Sequence, residues 1–192
     1  MPDPAKVLGF AAFSGVGKTS LLKRLIPLLR QQGLRIGLIK LSHHHFEVDV
    51  PGKDSYELRQ AGAEQVLLCS PRRWALITEL EQPVEPDLER MLVQLDRAAL
   101  DLVLVEGFRH APFSKIELHR PSLGHPLLYP QDPNIIAIAS DVPLSKPASS
   151  AEPARPDIPQ LGLNQPQQIL AFILHWMRTE QTLDVEPDGG EP

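Results

Sequence analysis

One segment constrains the fold of this chain more than any other: Phe10-Ala11-Ala12-Phe13-Ser14-Gly15-Val16-Gly17-Lys18-Thr19-Ser20. Upstream, Val7 to Ala12 is a short, mostly apolar run of the kind buried on both faces of a parallel sheet. Downstream, Leu21, Leu22, Leu25, Ile26 and Leu29 recur at helical spacing. A strand, a glycine turn, and Lys-Thr opening a helix is the context that a phosphate-binding loop requires.

The chemistry follows from that geometry. Gly15 and Gly17 can take positive φ and let the backbone approach a ligand, with the amides of Ser14 to Gly17 facing one concavity. The helix starting at Lys18 adds unpaired N–H groups and the positive end of its dipole. Lys18 is expected to bond the β- and γ-phosphates, Thr19 to ligate Mg²⁺ through its hydroxyl, and Ser20 to reach the α-phosphate. The template places Gly five residues before Gly17, where this chain has Ala12. A methyl group is small enough for the close packing to survive.

Further apolar runs extend the pattern. Gly33 should stop the first helix, with Pro27 bending or breaking it, and Arg35 to Ile39 reads as the second strand. Asp54 or Ser55 can cap a helix running to Gly62, followed by a strand over Gln65 to Cys69 and a run from Trp74 to Ile77 that can pair with it. Helical periodicity from Asp87 to Ala99 leads into Leu102 to Val105, apolar enough for a central strand. Ile135 to Ala139 reads as the last buried strand and Ile169 to Met177 as a closing helix. Strand and helix alternate, so the expected fold is α/β, a P-loop NTPase-type, mostly parallel sheet flanked by helices.

Bulk properties narrow the class. The 192 residues suit a single domain, expected over 1–178, with a Pro-rich irregular connector at about 142–166 and a disordered acidic tail over 179–192. A net charge of −5 argues against a nonspecific nucleic-acid or anionic-membrane partner. The single cysteine, Cys69, can form no internal disulfide, and no basic-then-apolar leader or long apolar run is present, so a cytoplasmic location is expected.

Three further groups are candidates for chemistry. Glu106 ends an apolar run and stands where P-loop proteins keep an acid that holds the Mg²⁺ shell or orients a water; the plainer alternative is an acid at a sheet edge. In Ser42 to Ser55, His43, His45 and Asp49 could share a face and ligate a metal, and Asp49-Val50-Pro51-Gly52 matches a D-x-x-G string that senses γ-phosphate in some GTPases. Histidines in such a polar loop more often face solvent. Asp141, after the strand from Ile135, could accept from the N1–H and amino group of guanine, or serve only as a cap or turn residue.

With these residues in view, the chain resembles the MobB family of molybdopterin-guanine dinucleotide biosynthesis adaptor proteins. The resemblance runs from about Lys6 to Asp141. It is carried by the segment from Phe10 to Thr19, by Gly37-Leu38-Ile39-Lys40 with His43-His44, and most specifically by Pro51-Gly52-Lys53-Asp54-Ser55-Tyr56-Glu57-Leu58-Arg59-Gln60-Ala61-Gly62-Ala63. Arg73-Trp74-Ala75-Leu76, Leu104-Val105-Glu106-Gly107-Phe108 and Ala139-Ser140-Asp141 complete it. Leu41 and His45 depart from it, standing where the family has a histidine and an acid.

The resemblance implies a GTP-binding homodimer that assists a guanylyltransferase in joining GMP to molybdopterin, with molybdopterin itself a further candidate ligand. Hydrolysis is expected to be slow, with Arg59 or Arg73 the candidates for an arginine finger. The alternative is a P-loop small-molecule kinase using ATP, with the chain near Arg72 and Arg73 closing over an acceptor. Phe13 disfavours the deviant P-loop ATPases that carry a second lysine at that position.

Overall fold

The apolar run before the glycine turn forms β1, Lys6–Ala11, and the helical run after it forms α1, Lys18–Gln31. The computed structural model describes residues 4–42, 46–144 and 158–179. Pro27 neither breaks α1 nor ends it; the helix continues through this exposed position. Its end is set by Gly33 at φ 84°: Gly33 N–H bonds the Arg30 carbonyl at 3.0 Å and Leu34 N–H the Leu29 carbonyl at 3.4 Å, a Schellman arrangement.

The chain divides into two compact units, residues 1–41 with 88–192 and residues 42–87. No composition shift marks either boundary in the sequence. The larger unit holds β1, α1, β2 (Ile36–Lys40), a short α3 (Leu88–Leu92), β5 (Leu102–Glu106), β6 (Lys115–His119), β7 (Ile135–Ser140), β8 (Gln160–Gly162) and α4 (Pro166–Thr179). The smaller holds α2 (Asp54–Gln60), β3 (Gln65–Ser70) and β4 (Arg73–Thr78).

In the larger unit six strands lie in the order β2-β5-β1-β6-β7-β8, each pairing parallel. The alternation of side chains sorts the core. Leu8, Phe10, Leu102, Leu104, Ile116 and Leu118 face α1 and α4, where they meet Leu25, Leu29, Ile169 and Ile173. Val103 and Val105 face the other way, against Leu88, Leu92 and Phe108. Leu25 and Leu29 are fully buried, and such burial contributes roughly 1.5–3 kcal/mol per side chain. Between β6 and β7 the register shifts by one residue, so Ile135 and Ile138 join one cluster while Ala137 and Ala139 join another.

Several expectations need correction. The helix expected over Asp87 to Ala99 is only α3, because the chain tightens into i−3 bonds at Gln94 and Leu95 and then a 3₁₀ turn at Arg97–Ala99 capped by Asp96. The cap of α2 falls on Lys53 rather than on Asp54 or Ser55, which are inside the helix. Strand β6 was not expected, since Lys115, Glu117 and His119 make it read as polar. The connector expected over 142–166 contains β8, whose three residues pair with β7. Residues 145–157 of that connector and 180–192 of the tail lie outside the described residues.

In the smaller unit β3 and β4 form an antiparallel hairpin of their own, paired from Gln65 opposite Thr78 to Ser70 opposite Arg73. Ser70 Oγ organises the turn, accepting from Arg73 N–H at 3.1 Å and donating to the Arg73 carbonyl at 2.9 Å.

Candidate functional site

Parallel pairing brings Ala11, Lys40, Glu106, His119 and Ser140 to one end of the larger unit's sheet, outside the carboxyl ends of the strands, where open α/β sheets take their ligands. The glycine turn opens there. Gly15 has φ 80° and Gly17 φ 108°, and Gly17 serves as N-cap of α1 with no side-chain cap and no acid in the first turn. A Cβ built on Gly15 would meet nothing within 4 Å, and one on Gly17 only Arg120 Nη2 at 3.9 Å. The turn is therefore open at both glycines, and the first N–H groups of α1 meet no side-chain cap, which suits an anion.

Lys18 lies along the turn, its Nζ donating to the carbonyls of Ala12 at 3.1 Å and Phe13 at 3.2 Å. Burial lowers its pKa; Glu106 opposes that, and the positive charges of Lys40 and Arg109 add to it. Thr19 Oγ1 donates to Glu106 Oε1 at 3.3 Å, and Lys40 Nζ reaches Glu106 Oε2 at 3.2 Å. Glu106 is buried, so it is not an acid facing solvent at a sheet edge. Of the other turn residues, Val16 is buried and Ser14 and Ser20 are exposed.

Asp141 follows β7. Its Oδ2 accepts from Arg120 Nη1 at 2.7 Å, while Oδ1 is buried without a hydrogen-bond partner. Arg120 also donates through Nε to the Val16 carbonyl at 2.9 Å and through Nη2 to Asn164 Oδ1 at 3.2 Å. One guanidinium thus ties the glycine turn to Asp141. Nearby His119 is buried and its pKa is lowered by that burial, with Asp141 opposing and His125 reinforcing the shift.

Past Glu106 the chain turns through two consecutive residues of left-handed backbone, Gly107 at φ 108° and Phe108 at φ 52°. A Cβ on Gly107 would stand 2.5 Å from Leu41 Cβ. Phe108 is the one non-glycine residue with positive φ among those described, at a cost of roughly 1–2 kcal/mol. Its buried ring anchors it in the core. Arg109 follows, its guanidinium 5.2 Å from the centroid of the Phe13 ring, which also stacks on His125 at 4.5 Å.

Lys40, Arg109, Arg120 and Asn164 had no role in the sequence reading. Lys40 ends a strand segment and could have been found as a cation at a carboxyl edge; for Arg120 and Asn164 no local signal exists.

Asp49 belongs to the smaller unit. There its Oδ1 accepts from Arg59 Nη2 at 3.0 Å, beside Glu47 at 2.7 Å and Glu79. Arg59 is buried, and Asp49 first, then Glu79 and Glu47, raise its pKa further above the ordinary guanidinium value. Three carboxylates already engage Arg59, which removes it as a free arginine finger. Among the described residues no group of three or more His, Cys, Asp or Glu is arranged to hold a metal ion. His43 and His45 lie outside the described residues.

The parallel sheet with its strand, glycine turn and helix defines a P-loop-type α/β protein. Residues 7–141 match the family described as molybdopterin guanine dinucleotide synthesis protein B (MobB), and the chain belongs to that family. It is 46% identical over 175 residues to the molybdopterin-guanine dinucleotide biosynthesis adapter protein of Escherichia coli (strain K12), covering 91% of this chain and 94% of that protein. It is 40% identical over 178 residues to the adapter protein of the same description from Haemophilus influenzae, covering 92% of each. A crystal structure of molybdopterin-guanine biosynthesis protein B superposes with TM-score 0.64 at 25% identity, over 90% of this chain and 99% of that one. Among the described residues no helix is long and apolar enough to cross a membrane.

Proposed function

We propose that this protein is a GTP-binding adaptor in the biosynthesis of molybdopterin guanine dinucleotide, assisting a guanylyltransferase that attaches GMP to molybdopterin. The observation that carries the nucleotide half of this reading is the opposition of Thr19 Oγ1 and Glu106 Oε1 at 3.3 Å beside Lys18. Hydroxyl, carboxylate and ammonium meet at the mouth of the open glycine turn. The pathway half rests on family membership and on the printed descriptions of the adapter proteins that resemble the chain along almost its whole length.

In this reading the amides of Ser14 to Gly17 hold the phosphates, Lys18 bonds the β- and γ-phosphates, and Ser20 reaches the α-phosphate. Thr19 and Glu106 fit a Mg²⁺ ion as an oxygen donor pair of the kind this hard cation takes. That ion would neutralise phosphate charge. The Asp141 carboxylate, whose Oδ1 has no hydrogen-bond partner, supplies an acceptor pair for the N1–H and amino group of guanine. Arg120 holds the second oxygen and so fixes the carboxylate's orientation.

The partner reading also has a surface to rest on. In the smaller unit Leu58, Leu67, Trp74 and Leu76 are large apolar side chains left exposed, and Trp74 is 69% exposed. Exposed apolar groups concentrated on one small unit mark a protein interface rather than a solvated face. We assign this surface to a homodimer contact in a cytoplasmic protein.

Calorimetric titration with GTP and with ATP, each with Mg²⁺, followed by phosphate release on the same samples, tests the reading. GTP-selective binding with little turnover, abolished by Lys18→Ala, is expected. ATP-selective binding with phosphoryl transfer to an added acceptor would replace the adaptor with a kinase.

A further inference from the structure

Three cations and one carboxylate converge on the glycine turn. Lys40 Nζ pairs with Glu106 Oε2 at 3.2 Å, Lys18 directly precedes Thr19, which donates to the same carboxylate, and the Arg109 guanidinium lies over Phe13, whose carbonyl accepts from Lys18 Nζ. Like charges do not gather without compensation, and one carboxylate leaves the cluster positive. A polyanion at the turn completes it.

Of the three, Arg109 is the one whose present contacts leave its donors free. Arg35, Arg59 and Arg120 are each paired with a carboxylate. Among the described residues Arg109 makes no such pair. Its guanidinium lies over the Phe13 ring at 5.2 Å and meets only His110 Nε2 at 3.4 Å. Guanidinium stacking leaves the in-plane N–H donors available for an anion. Phe13 in turn fixes where those donors are: Lys18 Nζ bonds the Phe13 carbonyl at 3.2 Å, so Arg109 stacks on the same residue that holds the lysine. That lysine is where the β- and γ-phosphates go.

The backbone agrees. Arg109 is delivered by the left-handed pair Gly107 and Phe108, directly after Glu106. Strain of this kind in a non-glycine residue is retained where the chain must be aimed, and here it aims the residue next to it.

We propose that Arg109 is the terminal-phosphate contact of the bound nucleotide, a residue that tells the triphosphate from the diphosphate. This rests on the nucleotide-binding reading above. The guanidinium keeps its stack on Phe13 and donates its in-plane N–H groups to γ-phosphate oxygens, beside Lys18. Arg59 and Arg73, expected as arginine candidates from the sequence, belong to the other unit; Arg109 comes from the same unit as the turn itself.

The test compares wild type, Arg109→Ala, Arg109→Lys and Lys18→Ala by calorimetry against GTP and GDP with Mg²⁺, or ATP and ADP if wild type prefers adenine. Each variant is checked by thermal melting. Arg109→Ala should weaken triphosphate binding about tenfold or more while leaving diphosphate binding within about twofold, the size expected for a lost hydrogen bond between charged groups. Arg109→Lys, which keeps the charge but not the fork, should fall between. Lys18→Ala should weaken both nucleotides. If Arg109→Ala weakens both nucleotides equally, or neither, while wild type binds them, the assignment of Arg109 is wrong and the nucleotide site stands. If folded wild type binds no nucleotide, the site reading fails and the Arg109 assignment with it.

Discussion

Thr19 Oγ1 donates to Glu106 Oε1 at 3.3 Å across 87 residues of chain. The contact exists because β1 and β5 are neighbours in parallel register, Phe10 opposite Glu106, so the first residues of α1 and the last residue of β5 meet at the carboxyl end of the strands. A hydroxyl and a carboxylate so placed can share one divalent cation.

Glu106→Gln should therefore separate metal support from nucleotide binding. The amide removes the charge that pairs with Lys40 at 3.2 Å and weakens any oxygen donation to Mg²⁺. The expected result is a ~10-fold or greater loss of the Mg²⁺-dependent part of GTP affinity, with metal-free binding little changed. Titrations with Mg²⁺ and with a chelator measure it; equal losses in both would remove the metal role.

Asp141→Asn is predicted to invert base preference. If the carboxylate accepts from the two guanine donors, an amide there should weaken GTP by about tenfold or more and favour xanthosine triphosphate, which carries an oxygen where guanine has its amino group. Competition between the two nucleotides reads this directly. Unchanged selectivity would leave Asp141 as no more than the partner of Arg120.

Glu117, opposite Ala11 in the pairing of β1 with β6, is a buried carboxylate that accepts from the backbone N–H groups of Leu128 and Tyr129 at 2.8 Å each. Burial raises its pKa above the ordinary value of 4.5, and the two backbone bonds only partly oppose this. A carboxyl that holds its proton more tightly folded than unfolded contributes stability that is full below about pH 4.5 and lost as pH rises through the raised folded value. Glu117→Gln should remove that pH dependence, seen in melts from mildly acidic to neutral pH. Glu117→Leu should strand both N–H groups and destabilise by roughly 2–6 kcal/mol.

Gly107→Ala should destabilise by about 2–5 kcal/mol, the sum of a left-handed backbone penalty and overpacking. Its Cβ would stand 2.5 Å from that of Leu41, and the residue before it is Glu106. Urea unfolding measures the stability. Nucleotide affinity should fall with it, because relief of the clash moves the carboxylate.

The expected α/β sheet is observed, and the strand, glycine turn and helix around Gly15 and Gly17 were legible from the flanking apolar periods. Leu8 to Ala11 of β1 and Leu102 to Val105 of β5 are buried residue after residue, so their apolar runs are unbroken. Strand β6 was not legible. Lys115 and Glu117 are each 1% exposed, yet they look like surface residues, because what neutralises them comes from elsewhere. Lys115 Nζ pairs with Asp132 at 3.0 Å, and Glu117 takes its two backbone donors from the same loop. The hairpin of β3 and β4 was visible as two runs, while its separation into a unit of its own was not.

By itself the sequence determined where strand gives way to turn and turn to helix, and which side chains stand at that turn. Hydrophobic period and glycine placement are local properties, set by sterics within a few residues. Only the tertiary structure decided which distant groups meet there. The partners of Thr19, Arg120 and Phe13 are Glu106, Asp141 and His125. Those meetings follow from strand order and register, which are fixed when the whole sheet closes its core and not by any segment alone.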